Sequence, residues 1–273
     1  MDRTRVLYVS AALLALTAVI AAPTRLPAQQ APQVAIDQDD IGGVVRGPNG
    51  SEAGVWVIAE TTELPTKYAK MVVTDDQGRY VIPDLPIANY SVWVRGYGLV
   101  DSPKVRAKPG QHVNLTAVPA PDERSAAHYY PAIYWYTMMK IPPAKDFGGT
   151  TDIPRNVTQE TWRQRMNNTD CIGCHQLGQE ATRTIPAAFG PFNSGAEAWG
   201  RRIASGQTGE TMMNRLAVQL GGVPFKYLGD WTDRVARGEL PKHKPPRPAG
   251  VERNVVITSW EWGTEKTYLH DLI

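Results

Sequence analysis

The chain has 273 residues and a net charge of +2 with its histidines neutral, and it is rich in glycine (24) and proline (22). A charge so close to balance leaves no electrostatic footprint for nucleic acid, and the turn-forming residues favour many short elements over long uninterrupted helices. With two cysteines in the whole chain, a disulfide framework is excluded as the source of its stability.

The N-terminus MDRTR carries two arginines, followed by the uncharged run VLYVSAALLALTAVIAA and then by PTRLPAQQAPQ. A positive segment, an apolar segment and a small-residue zone describe an export leader, with cleavage after Ala22 or Ala28. Residues 1–28 are therefore expected to be a signal peptide. An uncleaved anchor is the rival, because the apolar run is near the lower length limit for a span. No later segment is apolar enough to cross a membrane. Removing the leader leaves enough chain for two domains of ordinary size.

Residues 40–120 read as short strands. GGVV (42–45) enters the turn GPNG (47–50), and VWVIAE (55–60) follows. KMVVT (70–74) and RYVIP (79–83) flank DDQG, whose Gly78 takes positive φ without steric cost. In YSVWVRG, Tyr90, Val92 and Val94 face one way and Ser91, Trp93 and Arg95 the other. KPGQHVNLTAV (108–118) supplies a last turn and strand. This spacing predicts a small antiparallel sandwich. The run VTDDQGRYVIPDLPIANYSVWVRGYG, with Gly78, Tyr80, Ile82, Leu85 and Pro86 and the Y-x-V-x-V strand after them, resembles the carboxypeptidase regulatory-like family. That resemblance implies a seven-stranded transthyretin-like sandwich and no chemistry. Trp56 and Trp93 are expected in the core or an interface, with carbohydrate or surface binding the rival.

Residues 121–155 form a connector. Tyr129, Tyr130, Tyr134, Trp135 and Tyr136 make it too aromatic for a flexible linker, so it is expected to pack on a domain, over an edge of a cofactor site. Met138 and Met139 are expected to pack rather than to bind metal.

Residues 156–241 contain both cysteines, in the pentad CIGCH (171–175). In C-x-x-C-H two thiols add to the vinyl groups of a haem as thioethers, and the adjacent histidine reaches the iron. Residues three apart on a helical turn point the same way, so both sulfurs can meet one porphyrin edge. A zinc site would need further ligands from His112, His128, His243, His270 or carboxylates. A thioredoxin-like pair would need a βαβ surround that is absent here. The export leader agrees with covalent haem c. Cys171 and Cys174 are thus the attachment residues and His175 the proximal iron ligand.

Helices are expected from Thr158 as N-cap, across 197–206, 209–222 and 223–241, the last with Phe225, Leu228, Trp231 and Val235 at helical spacing. CIGCHQLG, the W-x-x-x-I-x-x-G helix (Trp199, Ile203, Gly206) and a terminal aromatic helix with Tyr227 and Trp231 resemble class I cytochromes c. The resemblance implies an all-α haem domain and a distal methionine, here Met212 or, as the alternative, Met213. A bis-His site through His112, His128 or His243, or an open sixth position, remain alternatives. Arg201 and Arg202 are candidates for the haem propionates or for a partner surface.

Residues 242–273 hold a proline-rich linker and a single strand from Asn254 to Trp260. RNVVITSWEWG…YLHD looks like the first blade of a streptogramin-lyase-like β-propeller. The alternative is that the strand packs on the domains already present.

The sequence therefore predicts a multidomain chain, an all-β transthyretin-like sandwich followed by an all-α cytochrome c-like haem domain. Its expected work is single-electron transfer with a redox partner protein, outside the cytoplasm, in the periplasm or secreted. The rival is a haem relay within a larger secreted oxidoreductase or lyase-like enzyme with catalysis beyond residue 273. Docking of the sandwich onto the haem domain is a further expectation.

Overall fold

The structure, a computed structural model, describes residues 34–168, 171–172, 176–206 and 208–261. The leader lies outside the described residues. The strands in chain order are β1 (Ile41–Gly47), β2 (Gly50–Ser51), β3 (Trp56–Thr61), β4 (Lys67–Val73), β5 (Arg79–Ile82) and β6 (Tyr90–Arg95). β7 (Leu99–Val100), β8 (Val105–Ala107), β9 (Gln111–His112), β10 (Leu115–Thr116) and β11 (Val118–Pro119) follow. β12 (Val256–Glu261) comes last, after the helices.

Alternation places these strands as the sequence suggests. Tyr68, Lys70 and Val72 of β4 point inward, and Tyr90, Val92 and Val94 of β6 enter the same core as Ile41, Val45, Val57, Tyr80 and Ile82. Trp93 stays out of that core and packs under the Lys104 ammonium, 4.1 Å from the ring centre. Trp56 meets Tyr97 edge-on at 4.9 Å. Both tryptophans are thus engaged within the fold. Gly78 has φ +73° in the turn, closed by its N–H donating to the Asp75 carbonyl at 3.0 Å.

Lys70 is an inward-facing cation inside an apolar sheet. Its Nζ donates to the Pro83 carbonyl at 2.7 Å and to the Asp84 carbonyl at 3.0 Å, fixing a loop in which Asp84 has φ +50°. Replacing Lys70 by Met is expected to destabilise the chain by about 2 kcal/mol, the size of charge-assisted hydrogen bonds lost from a buried site. Urea unfolding of the variant measures this, with the midpoint moving and the slope unchanged.

The helices are α1 (Glu123–Ala127), α2 (Ala132–Tyr136), α3 (Gln159–Asn167), α4 (Glu180–Arg183), α5 (Gly195–Ala204), α6 (Gly209–Met213) and α7 (Val223–Ala236). A π-helical segment, Asn214–Gln219, continues α6. Thr158 caps α3 by accepting from the Thr161 N–H at 3.0 Å, as expected of a Thr N-cap. Ser194 caps α5 in the same way, from Glu197 N–H at 3.2 Å.

The structure corrects the expected fold class in two respects. The sandwich is not purely antiparallel, because β1 pairs in parallel with β9 and with β10 while its other neighbours β2 and β5 run antiparallel. More importantly, a distinct all-α cytochrome domain is not shown among the described residues. Three sheets carry the architecture, two five-stranded and one two-stranded, and the helices are short and pack mainly on one another. The described residues belong to one compact unit. The β and helical regions each have a core of their own, and a small third cluster at the connector joins them. Tyr97 from the β region, Ala127, Tyr130 and Trp135 from the connector, and Val235 and Leu240 from the helical region pack as one cluster. β12 then returns across the chain and pairs antiparallel with β4 from Val256↔Val72 to Glu261↔Lys67. The last strand therefore packs on the sheet already present, the second of the two placements considered for it. The chain between α7 and β12 is tied down as well, by Arg247 donating to Glu52 and, at 3.1 Å, to the Tyr97 carbonyl.

Among the described residues, no helix is long and apolar enough to cross a membrane.

Candidate functional site

The helix α3 delivers the chain to the pentad. Trp162 and Met166 lie on its inner face, one turn apart and fully buried. Cys171 is half-buried, its N–H donating to the Arg165 carbonyl at 3.2 Å and its Sγ 4.0 Å from Met166 Sδ. Cys174 and His175 lie outside the described residues.

The segment that follows the pentad is held from three sides. Gly178, at φ +101°, passes so close to α2 that a Cβ there would overlap the Ala132 carbonyl oxygen and come within 2.8 Å of Tyr136 N. The Arg183 guanidinium lies 4.0 Å from the centre of the Trp135 ring and donates to the Gly178 carbonyl at 2.6 Å. Arg202 of α5 donates to the Thr184 and Ala181 carbonyls at the end of α4, both at 2.5 Å. Burial lowers the pKa of both arginines; Arg202 satisfies carbonyls at the end of α4 that have no intrahelical partner, and Arg183 bonds a carbonyl just before the same helix. Arg201 stacks instead over Phe189.

The connector packs against the helical region and adds a tie to α3. The Tyr136 hydroxyl donates to the Met166 carbonyl. Burial pushes the Tyr136 phenol above its ordinary range, and the nearby Cys171 sulfur pushes it the same way. Trp231 of α7 donates from Nε1 to the Trp135 carbonyl at 2.8 Å and packs against Tyr136 and Trp199, at 5.6 and 6.4 Å between ring centres.

The structure brings Met212 and Met213 into the same apolar cluster as Cys171, Ile172, Trp162 and Met166, both half-buried. Met139 is buried in that cluster and Met138 packs at its edge, in keeping with a packing role. Of the rival ligands, His128 sits against α4, in the segment after the pentad, while His270 lies outside the described residues. His112 is exposed on β9 and bonded to the Val34 carbonyl at 2.8 Å. His128 is exposed and pairs with Glu180 at 3.7 Å, and His243 is exposed on the proline-rich linker. Among the described residues, the one group of acidic, His or Cys side chains close enough to share a metal is Asp37, Asp39 and Asp40, remote in sequence from the pentad. Sequence reasoning missed Gly178 and Met166, whose roles depend on contacts with α2 and with Cys171. Glycine in QLG was the available signal for the first.

These residues fit a covalently held haem. The cluster is apolar, aromatic and sulfur-bearing, with Cys171 partly buried against it. The Trp162 indole N–H is buried with no acceptor among the described residues. An apolar macrocycle with acidic edges suits such a lining better than a hydrated metal ion, which would ask for oxygen ligands.

No protein-family model matches the chain, and no curated protein matches it. Among solved structures, the chain matches a C-terminal interface mutant of a type II cohesin–X-dockerin complex from Acetivibrio cellulolyticus. The identity is 15%, the match covers 40% of this chain and 73% of that chain, and the TM-score is 0.25. An overlap of that size assigns neither fold nor function.

Proposed function

We propose that the chain is an exported haem protein that passes single electrons, with one haem c held through Cys171 and Cys174 and ligated by His175. The observation that carries this reading is the pentad CIGCH, which holds both cysteines of the chain and leads from α3 into an aromatic, sulfur-bearing cluster. The leader at 1–28 supports a site of action outside the cytoplasm, in the periplasm or beyond it.

When bound, the haem would supply a one-electron ferric/ferrous couple. The chain's own residues supply tether, ligation and exclusion of water. The two thiols fix the group to the chain, and the His175 imidazole and a methionine sulfur, Met212 or Met213, are the donors for iron. A soft neutral thioether donor together with imidazole would favour the reduced state of the bound group and raise its potential. Trp162, Trp199 and Trp231, all buried, keep water from the site. Arg202, Arg183 and Gly178 hold the segment after His175 against α5 and α2, so the donors stay placed as charge changes. The electron passes to and from a redox partner protein.

The test is a spectroelectrochemical titration of the chain, produced with its leader in a host competent for cytochrome c maturation. The expected result is a reversible visible-spectrum change that follows a one-electron Nernst curve. A colourless protein that instead binds zinc would sink the reading.

A further inference from the structure

The segment between α7 and β12 returns across the β region and leaves a cleft beside it. Met71 and Val73 of β4 alternate with the inward-facing Lys70 and Val72, so they lie on the face turned away from the core. Trp56 of β3 is the registered partner of Val73, and Ile257 of β12 that of Met71, which puts all four side chains on one floor. Pro246, Pro248 and Glu252 of the returning segment form the facing wall, and Tyr97 meets Trp56 edge-on. Together they line a cleft of about 320 Å³, near the lower end of the range for small-molecule sites.

The wall is held in place by two arginines. Arg247 donates to Glu52 at 2.5 Å and to the Tyr97 carbonyl at 3.1 Å. Arg253 donates to Asp76 and, at 3.0 Å, to the Pro248 carbonyl. The prolines fix their own φ, so the wall is set before a ligand arrives and little ordering is left to oppose binding.

Charge selects the occupant. Each guanidinium beside the cleft is matched by a carboxylate, Glu52 or Asp76. Glu252 is the one carboxylate that lines the cleft. Among the described residues it is in no ion pair, and its carboxylate closes the turn at Gly250–Arg253 by accepting from the Ala249 N–H at 3.1 Å. The cleft therefore combines two aromatic rings, an apolar floor and a single unmatched negative charge. An anion would be repelled by Glu252. A hydrated metal ion would ask for several oxygen ligands where one carboxylate is present. An organic ammonium ion meets every feature: its charge is attracted by the ring faces and by the carboxylate, and its alkyl groups cover apolar surface.

We propose that this cleft binds a small organic ammonium ion, alkylated on nitrogen and free in solution.

The experiment is isothermal titration calorimetry of the full chain with choline and with dimethylbutanol, its neutral isostere with carbon in place of nitrogen. Choline is expected to bind, and the alcohol to bind about fivefold more weakly or less, the size of one cation–π contact or exposed ion pair. Glu252→Gln is expected to weaken choline about fivefold and to leave the alcohol unchanged. Glutamine keeps an oxygen for the Ala249 N–H, so the turn is retained, and far-UV circular dichroism checks it. Trp56→Leu is expected to weaken choline as well. The proposal is overturned if choline does not bind, if the alcohol binds as tightly, or if Glu252→Gln binds choline as the parent chain does. Sedimentation of the chain on phosphatidylcholine vesicles, lost in Glu252→Gln, would overturn the free ion as the source and assign a lipid headgroup in its place.

Discussion

Replacing Trp231 by alanine is expected to cost about 4 kcal/mol, within the range for emptying a large aromatic site in a packed core. Trp231 is fully buried and touches two other parts of the chain at once: the connector, through Tyr136 and through its indole N–H to the Trp135 carbonyl, and Trp199 of α5. The connector is fastened by this side chain to the helical region, so the loss is felt beyond α7. Trp231→Phe separates the contributions. It keeps most of the ring and removes the hydrogen bond, at an expected cost of about 1 kcal/mol, because the Trp135 carbonyl also accepts from Met138 N–H at 3.2 Å. Denaturant unfolding followed by circular dichroism measures both. A Trp231→Ala midpoint matching that of the parent chain would contradict the placement of this residue in the core of the helical region.

Gly178→Ala is expected to cost about 3 kcal/mol and, unlike the tryptophan substitution, to act on the attachment segment first. Two effects combine. At φ +101° a side chain forces a left-handed backbone that glycine adopts without penalty, and substitution there destabilises by more than about 1 kcal/mol. The added Cβ also overlaps the Ala132 carbonyl, and overpacking of this kind costs about 1–3 kcal/mol. Either α2 or the segment after the pentad must move. The readout is limited proteolysis together with thermal unfolding, with cleavage expected to appear near 176–186 before global unfolding. An alanine variant as protease-resistant as the parent chain would show that the two segments do not meet closely at Gly178.

Much of the local structure was legible in the sequence, for reasons that are themselves local. Alternation marked β3 to β6, and the DDQG turn between two of them is closed as its residues imply. Thr158 announced α3, and the Trp199–Ile203 spacing announced α5. The partners of these elements were not legible. β12 pairs with β4 across more than half the chain, and nothing in VITSWE identifies KYAKMVV as its neighbour, since both are ordinary alternating strands. The parallel course of β9 and β10 beside β1 has the same origin: periodicity fixes which face is buried but not the direction of the neighbouring strand. The link that the connector makes between the β and helical regions was not legible either. Its tyrosines and Trp135 were read correctly as packed, but Tyr97 and Val235 join them in one cluster, and that merger depends on contacts between distant segments. The π winding after Met213 also left no trace in composition, because NRLAVQ keeps an ordinary helical pattern of apolar residues.

The candidate site divides along the same line. The pentad C-x-x-C-H, on which the haem proposal rests, was legible because it is written in five consecutive residues. Its support was not, because Gly178 against α2, Arg202 at the end of α4 and the Tyr136 hydroxyl at Met166 are meetings between segments far apart in sequence.

The central claim is that Cys171 and Cys174 hold one haem covalently, and intact-mass spectrometry of the acid–acetone-extracted chain tests it most directly. Matured in a competent host, the parent chain is predicted to retain the mass of one haem, and the Cys171→Ser/Cys174→Ser chain to show the bare polypeptide alone. A parent chain that emerges from the same host and extraction at the bare polypeptide mass would contradict the account.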